Sequence, residues 1–473
     1  MSWKERWVGP ENPKIILVQP PLSKRYQAIE TTFAPAPPTW AAILAGETRR
    51  RSGDPESDFQ IFYTPQAELS QFFYKQCAEA DILGITDWFS CHESTLEIAA
   101  QVKKINPELL VILGGINAGN LAPQILKNHP YIDLVVLKDG EDVLWRILQG
   151  QRFKQIPNLW SRDTSGTPQF SHHKMIDLNE ISLWNFEGLV NETILVEYKK
   201  SLNQSPHTTV PLGVSLTRGC QKCQQKKPCT YCTAWGKYRE TDPQKAIGQL
   251  RFLEKSGFRY LFETGDDFSN LRYLQQLVNL RKPSDNFKIR CYANPATITM
   301  ETAVTMAKLG IYEVFLGFET ADNEIAARAN RTTTLVKIEN AIQNLQRVNV
   351  SVCLPIMFGL PGENTSTIEE TSTHTKLLIN KYNNIRMVLI SLAIPLAGSL
   401  WFKQLTSNSK VVAEYNTAGD LMNEDEFDYF RLLELSLKLE GTKISDIVKI
   451  VRKLKEDLKN QVIIGSFGAI EIS

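Results

Sequence analysis

Four of the eight cysteines crowd into one segment, Cys220-Gln-Lys-Cys223-Gln-Gln-Lys-Lys-Pro-Cys229-Thr-Tyr-Cys232. Thiols this close together suit a metal site in a reducing compartment better than a disulfide framework. Read as two CxxC pairs, Cys220 with Cys223 and Cys229 with Cys232, they match a zinc ion held by four sulfurs. Two features weigh against zinc. The pairs lie closer together than in common zinc ribbons, and the segment directly follows a predicted strand instead of forming a small module of its own. Lys222, Lys226 and Lys227 between the thiols read either as solvated loop charges or as a partial offset to thiolate charge. The other cysteines, Cys77, Cys91, Cys291 and Cys353, have apolar neighbours and are expected to be small buried hydrophobes.

A site of this kind needs elements to hold it. Residues 1–150 alternate apolar runs with amphipathic stretches. Ile15–Val18, Ile82–Ile85, Leu110–Leu113 and Leu134–Leu137 read as buried parallel strands, and Thr95–Ile105 and Asp142–Leu148 as helices. This alternation implies an α/β fold, here a doubly wound, Rossmann-like domain whose ligand crevice lies at the strand C-termini. Residues 151–210 are polar, proline-containing and weakly periodic, and are expected to be a linker. From 211 to 405 a second series follows: Val214–Leu216, Tyr260–Phe262, Lys288–Arg290, Glu313–Leu316, Val350–Met357 and Met387–Leu392. Six such units suggest a complete or partial (β/α) barrel, with the cysteines in the loop after its first strand, where barrel active sites are built. Residues 406–473 read as a helical extension. In it Ile447, Ile450, Val451, Leu454 and Leu458 form one apolar stripe behind a possible cap at Ser445.

The cysteine segment resembles that of radical S-adenosylmethionine (SAM) enzymes, whose signature is CxxxCxxC with an aromatic residue before the last cysteine. Tyr231 fills that place, and Arg218-Gly219 precedes the first cysteine as in the family. The resemblance implies a 4Fe-4S cluster on Cys220, Cys229 and Cys232, with the fourth iron open to SAM. The first gap is longer than the family's, as it is in some members with an N-terminal cobalamin-binding-like domain. Cys223 is left over, with the alternative that it replaces Cys220. The strand ends downstream resemble the family's SAM-binding positions in order: Asp266 and Asp267 after the second strand, Glu319 and Thr320 in Gly317-Phe-Glu-Thr after the fourth, and Gly359 and Gly362 in the turn to Glu363 after the fifth. Asn294 and Arg331 stand where relatives put polar SAM contacts, and Pro395 and Gly398 resemble the end of the sixth strand.

In such relatives the first domain often carries cobalamin. Gly114-Gly115 resembles the glycine pair that lets a nucleotide tail approach, and Thr86 stands where a hydroxyl contact to it is expected. No DxHxxG motif is present, because residues 19–40 contain no histidine. His92 reads as a surface or loop histidine, so cobalamin would bind without a protein histidine ligand. The resemblance therefore implies a cobalamin-dependent radical SAM enzyme that transfers a methyl group to an unactivated carbon. The alternatives are a cobalamin-independent rearrangement, oxidation or cyclisation, and a non-catalytic zinc or iron-sulfur protein. The implied partners are a small-molecule or peptide substrate and an electron donor such as flavodoxin or ferredoxin.

The remaining composition narrows the choice. The 473 residues exceed what one core supports, and 42% hydrophobic with 22% charged residues is ordinary for a globular protein. A formal net charge of +1 offers no field for nucleic acid or anionic lipid. There is no apolar run of membrane-spanning length, and the polar start does not resemble a signal peptide, so a cytoplasmic protein is expected.

Overall fold

A strand covered by helices on both faces must be apolar on both, and that is how the central strands of this chain are built. In the computed structural model all residues are described except 1–3, 25–35, 54–57, 64–68, 182–191, 226, 234–235, 332, 417–424, 426 and 468–473. Lys226 and much of the histidine-free stretch therefore lie outside the described residues. The chain divides into two compact units. Pro37–Glu197 makes up most of the first, and Tyr198–Leu421 with Asp428–Ser473 most of the second.

The first unit is a seven-stranded sheet in the order β2-β1-β3-β4-β5-β6-β7. Its parallel part comprises β1 (Ile15–Gln19), β2 (Phe59–Tyr63), β3 (Ile82–Thr86), β4 (Leu110–Gly114) and β5 (Leu134–Val136). The chain runs from β1 outward to β2 and then crosses to β3 on the other side of β1. This reversal opens a crevice at the C-terminal ends of β1 and β3. β6 (Leu159–Arg162) and β7 (Pro168–Phe170) add on antiparallel. The segment expected to be a linker thus contributes two strands, β7 at the edge and β6 next to it, and also contains the helix Glu192–Gln204. Arg162 explains part of the difference: its guanidinium is buried and donates to the carbonyls of Leu126, His129 and Ile132, so a charged residue serves inside a strand.

The second unit is an open, all-parallel sheet in the order β16-β15-β14-β13-β12-β11-β8. Its strands are β8 (Leu212–Val214), β11 (Tyr260–Glu263), β12 (Lys288–Ala293), β13 (Ile311–Leu316), β14 (Ser351–Phe358), β15 (Ile385–Leu392) and β16 (Ile463–Phe467). β8 ends at Val214, earlier than the sequence suggests, because Thr217 and Arg218 (β9) leave the sheet to pair antiparallel with Arg239 and Glu240 (β10). Helices alternate with the strands, and Asp242, Asn270, Thr299 and Asn364 each cap one by accepting backbone N–H groups of its first turn. Phe262, Phe315, Cys353, Met387 and Leu389 pack into one cluster. Beside Phe315 lies Arg290, 1% exposed and paired with Glu313 at 2.9 Å. In the last helix, Ile444–Leu458, the expected apolar positions Ile447, Val451, Leu454 and Leu458 are buried. Its N-cap is Lys443, so Ser445 is a helical residue and not the cap. Among the described residues no helix is long and apolar enough to cross a membrane.

Candidate metal and cofactor site

The ribbon of β9 and β10 forms the base of the cysteine loop. Gly219 stands at the exit from β9 with φ +77°, and a Cβ there would lie 2.4 Å from the Lys237 carbonyl oxygen. A side chain would therefore prise the two arms of the loop apart. Beneath the ribbon, Glu263 at the end of β11 is fully buried. It accepts the N–H groups of Leu216, Thr217 and Gly265 and the hydroxyl of Thr217, at 3.0–3.2 Å. Burial pushes its carboxyl up to about 8, against the pull of those donors. Glu263 thus ties the start of the loop to the neighbouring strand, a role that sequence reasoning missed.

Within the loop, Cys220 precedes the short helix Gln221–Gln224. A hydrogen bond from Cys223 pulls the Cys220 thiol down to about 7, while that same bond and burial raise Cys223. Lys222 reaches back across the loop, with Nζ 3.5 Å from Cys229 Sγ and donating to the Asn330 carbonyl. The Cys229–Cys232 turn is fixed from outside: Thr230 donates to the Ala329 carbonyl at 3.1 Å and accepts from Trp401 N–H at 2.8 Å. All four thiols are partly accessible and none is in a disulfide. Among the described residues no three His, Cys, Asp or Glu side chains converge on one point. What fits an iron-sulfur group is the donor chemistry: soft thiolates in a single loop at the C-terminal end of a barrel strand, with a cation at hand. The remaining cysteines, Cys77, Cys91, Cys291 and Cys353, are buried as expected.

The other expected contacts fall into two groups. Asp266 is exposed, and its carboxylate accepts the Gly219 N–H, next to the first cysteine. Asp267 is 2% exposed and bound to Ser269 and to the Asn294 backbone, so it joins the ends of β11 and β12. Burial raises its carboxyl above the ordinary range. Asn294 caps the turn Pro295–Thr297 through Ala296 N–H at 3.0 Å. Glu319, with φ +58°, ion-pairs with Arg331. Arg331 also donates to the Gly317 carbonyl at 2.7 Å and lies 3.5 Å from the Tyr231 hydroxyl. Thr320 is buried against Glu363 and Thr371. Glu363 in turn accepts the Gly359 and Leu360 N–H groups, and burial pushes its carboxyl up to about 7. Gly359 and Gly362 both take φ +89° in this turn.

In the first unit, Thr86 ends β3 and is buried. Gly115 takes φ +100°, and a Cβ there would lie 2.4 Å from the Asp87 carbonyl oxygen, so the chain's own backbone already requires this glycine. Gly114 has open space where a Cβ would stand. His92 is not a surface histidine. The helix begins at His92 and not at Thr95, which buries the ring with Nδ1 3.0 Å from Asp87, a carboxylate that also accepts from Asn117. Asp87 carries no signal in the sequence beyond its place after a strand.

Residues 214–374 match the family model of the radical SAM superfamily. An anaerobic magnesium-protoporphyrin IX monomethyl ester cyclase of Rubrivivax gelatinosus is 25% identical over 84% of this chain and 72% of its own length. An uncharacterized methyltransferase of Pyrococcus horikoshii is 23% identical over 93% of this chain and 91% of its own. The fold is similar to that of the radical S-adenosylmethionine methyltransferase TsrM from Kitasatospora setae, solved with cobalamin and a 4Fe-4S cluster bound. That likeness has a TM-score of 0.71 and 14% identity, covering 96% of this chain and 93% of the other.

Proposed function

We propose, from the match of residues 214–374 to the radical SAM superfamily model, that this enzyme is a cobalamin-dependent methyltransferase acting on an unactivated carbon of a small molecule or peptide. The observation that carries the reading is the loop of Cys220, Cys229 and Cys232, clasped at the C-terminal end of β8. These three cysteines would hold a 4Fe-4S cluster. When bound, the cluster supplies the electron that cleaves SAM to a 5'-deoxyadenosyl radical, and cobalamin supplies the methyl group.

The chain's own residues do the positioning. Asp266, exposed beside Gly219, is the carboxylate best placed to take the SAM amino group. Tyr231, Arg331 and Glu319 join the cysteine loop to the end of β13, and the Gly359–Gly362 turn, both glycines at φ +89°, would place backbone beside the adenine. Asp267, Asn294 and Thr320 act one step removed, through the strand ends they hold. Support for cobalamin comes from the β1/β3 crevice, whose rim carries Thr86 and lies beside Gly114, and from the whole-chain likeness to a structure that holds it. Reduced flavodoxin or ferredoxin would deliver the electron.

A second reading, oxidative cyclisation, is favoured by one observation, the cyclase similarity over 84% of the chain. The deciding experiment is anaerobic reconstitution with iron and sulfide, followed by incubation with SAM and reductant, with and without methylcobalamin. Methyl transfer is read with isotopically labelled SAM. The methyltransferase reading predicts 5'-deoxyadenosine and cobalamin that stays with the protein through gel filtration. Deoxyadenosine formation with no cobalamin retained would overturn it in favour of the second reading.

A further inference from the structure

The long first gap of the cysteine motif has a structural consequence. Its residues Gln221–Gln224 form a short helix that turns Lys222 toward the Cys229 thiol. Lys222 Nζ stands 3.5 Å from Cys229 Sγ, and a hydrogen bond to the Asn330 carbonyl anchors it there. Asn330 is itself fixed, its side-chain amide donating to the Pro228 carbonyl at 3.2 Å. The ammonium is therefore held at the sulfur from the far side of the loop instead of ranging through solvent as an exposed lysine would.

We propose that Lys222 is a built-in counter-cation of the cluster, donating to the Cys229 sulfur and setting the cluster's reduction potential. The inference rests on the cluster reading above. Reduction adds one electron to a group that already carries thiolate charge. A fixed cation a few ångströms away stabilises the reduced form more than the oxidised form and so raises the potential. Hydrogen bonds to cluster sulfurs act in the same direction. The eight residues between Cys220 and Cys229 then have a purpose: a gap of the usual length would have no room for a helical turn that carries a lysine back onto the second ligand.

The test compares the wild type with Lys222→Met, Lys222→Arg and Lys227→Met after anaerobic reconstitution. Iron per chain and the midpoint potential are measured, the latter by electron paramagnetic resonance during a redox titration. Lys222→Met should load as much iron as the wild type and titrate at a more negative potential, and Lys222→Arg should return toward the wild-type value. Lys227→Met, which removes a charge from an exposed position of the same loop, should leave the potential unchanged. If Lys222→Met loads poorly while Lys222→Arg loads fully, the cation is needed at the sulfurs during assembly, which also supports the proposal. An unchanged potential in Lys222→Met, equal shifts in the Lys222 and Lys227 variants, or loss of iron in both Lys222 variants would overturn it. Failure of the wild type to take up iron and sulfide would instead strike at the cluster reading itself.

Discussion

Arg331 ion-pairs with Glu319 at the end of β13 and reaches the Tyr231 hydroxyl between the last two cysteines, so one half-buried guanidinium joins a strand end to the cysteine loop. Glu319 needs that partner. It is held at positive φ by backbone bonds to Pro355 and Met357, and burial raises its carboxyl.

Breaking the pair should therefore be expensive. Arg331→Met leaves a buried carboxylate without its cation and is expected to cost about 3–5 kcal/mol. The double variant Arg331→Met, Glu319→Gln should cost clearly less than the sum of the single variants, because each change removes the reason for the other's penalty. Urea denaturation of the four proteins measures the coupling, and additive effects would show that the two side chains do not depend on each other.

Glu363 should make stability depend on pH. Its folded value of about 7 lies above that of an unfolded glutamate, so its contribution is fully present below about pH 4.5 and is lost as pH rises through 7. The span corresponds to roughly 3 kcal/mol. Glu363→Gln can keep an acceptor for the Gly359 and Leu360 N–H groups without titrating, its amide nitrogen replacing the oxygen that accepts from the Thr320 hydroxyl. The stability of the wild type relative to this variant should fall between pH 5 and pH 8. Parallel profiles in unfolding experiments would refute the assignment.

Gly115→Ala should destabilise the first unit. The residue would have to adopt φ +100° with its Cβ against the Asp87 carbonyl oxygen, and a left-handed non-glycine position alone costs on the order of 1–3 kcal/mol. Gly114→Ala, which meets open space, should be nearly neutral for stability. Any loss of cobalamin retention in that second variant would then report on binding rather than folding.

The sequence carried the central strands and the cysteine loop, and the reason is physical. β1, β3 and β4 are buried along most of their length and so carry the apolar runs that mark them in the sequence. β6 and β7 lie at a sheet edge, with Arg162 and Pro168 among their few residues, and nothing in that short stretch distinguishes a strand from a loop. The thiols and the Asp266-Asp267 pair stand out in the sequence by residue type and spacing alone. Contacts between segments do not stand out in that way. That the Glu319 carboxylate faces Arg331, that Glu263 holds the loop, and that His92 is buried on Asp87 are facts of packing between segments, and spacing along the chain does not encode them.

The ligand assignment is the claim on which the rest stands, and metal content tests it most directly. Wild-type protein reconstituted without oxygen should hold about four iron and four acid-labile sulfide per chain. Serine at Cys220, Cys229 or Cys232 should abolish that uptake, while serine at Cys223 should leave most of it. One zinc ion and no labile sulfide, bound in a way that needs Cys223 as much as the other three, would contradict the account.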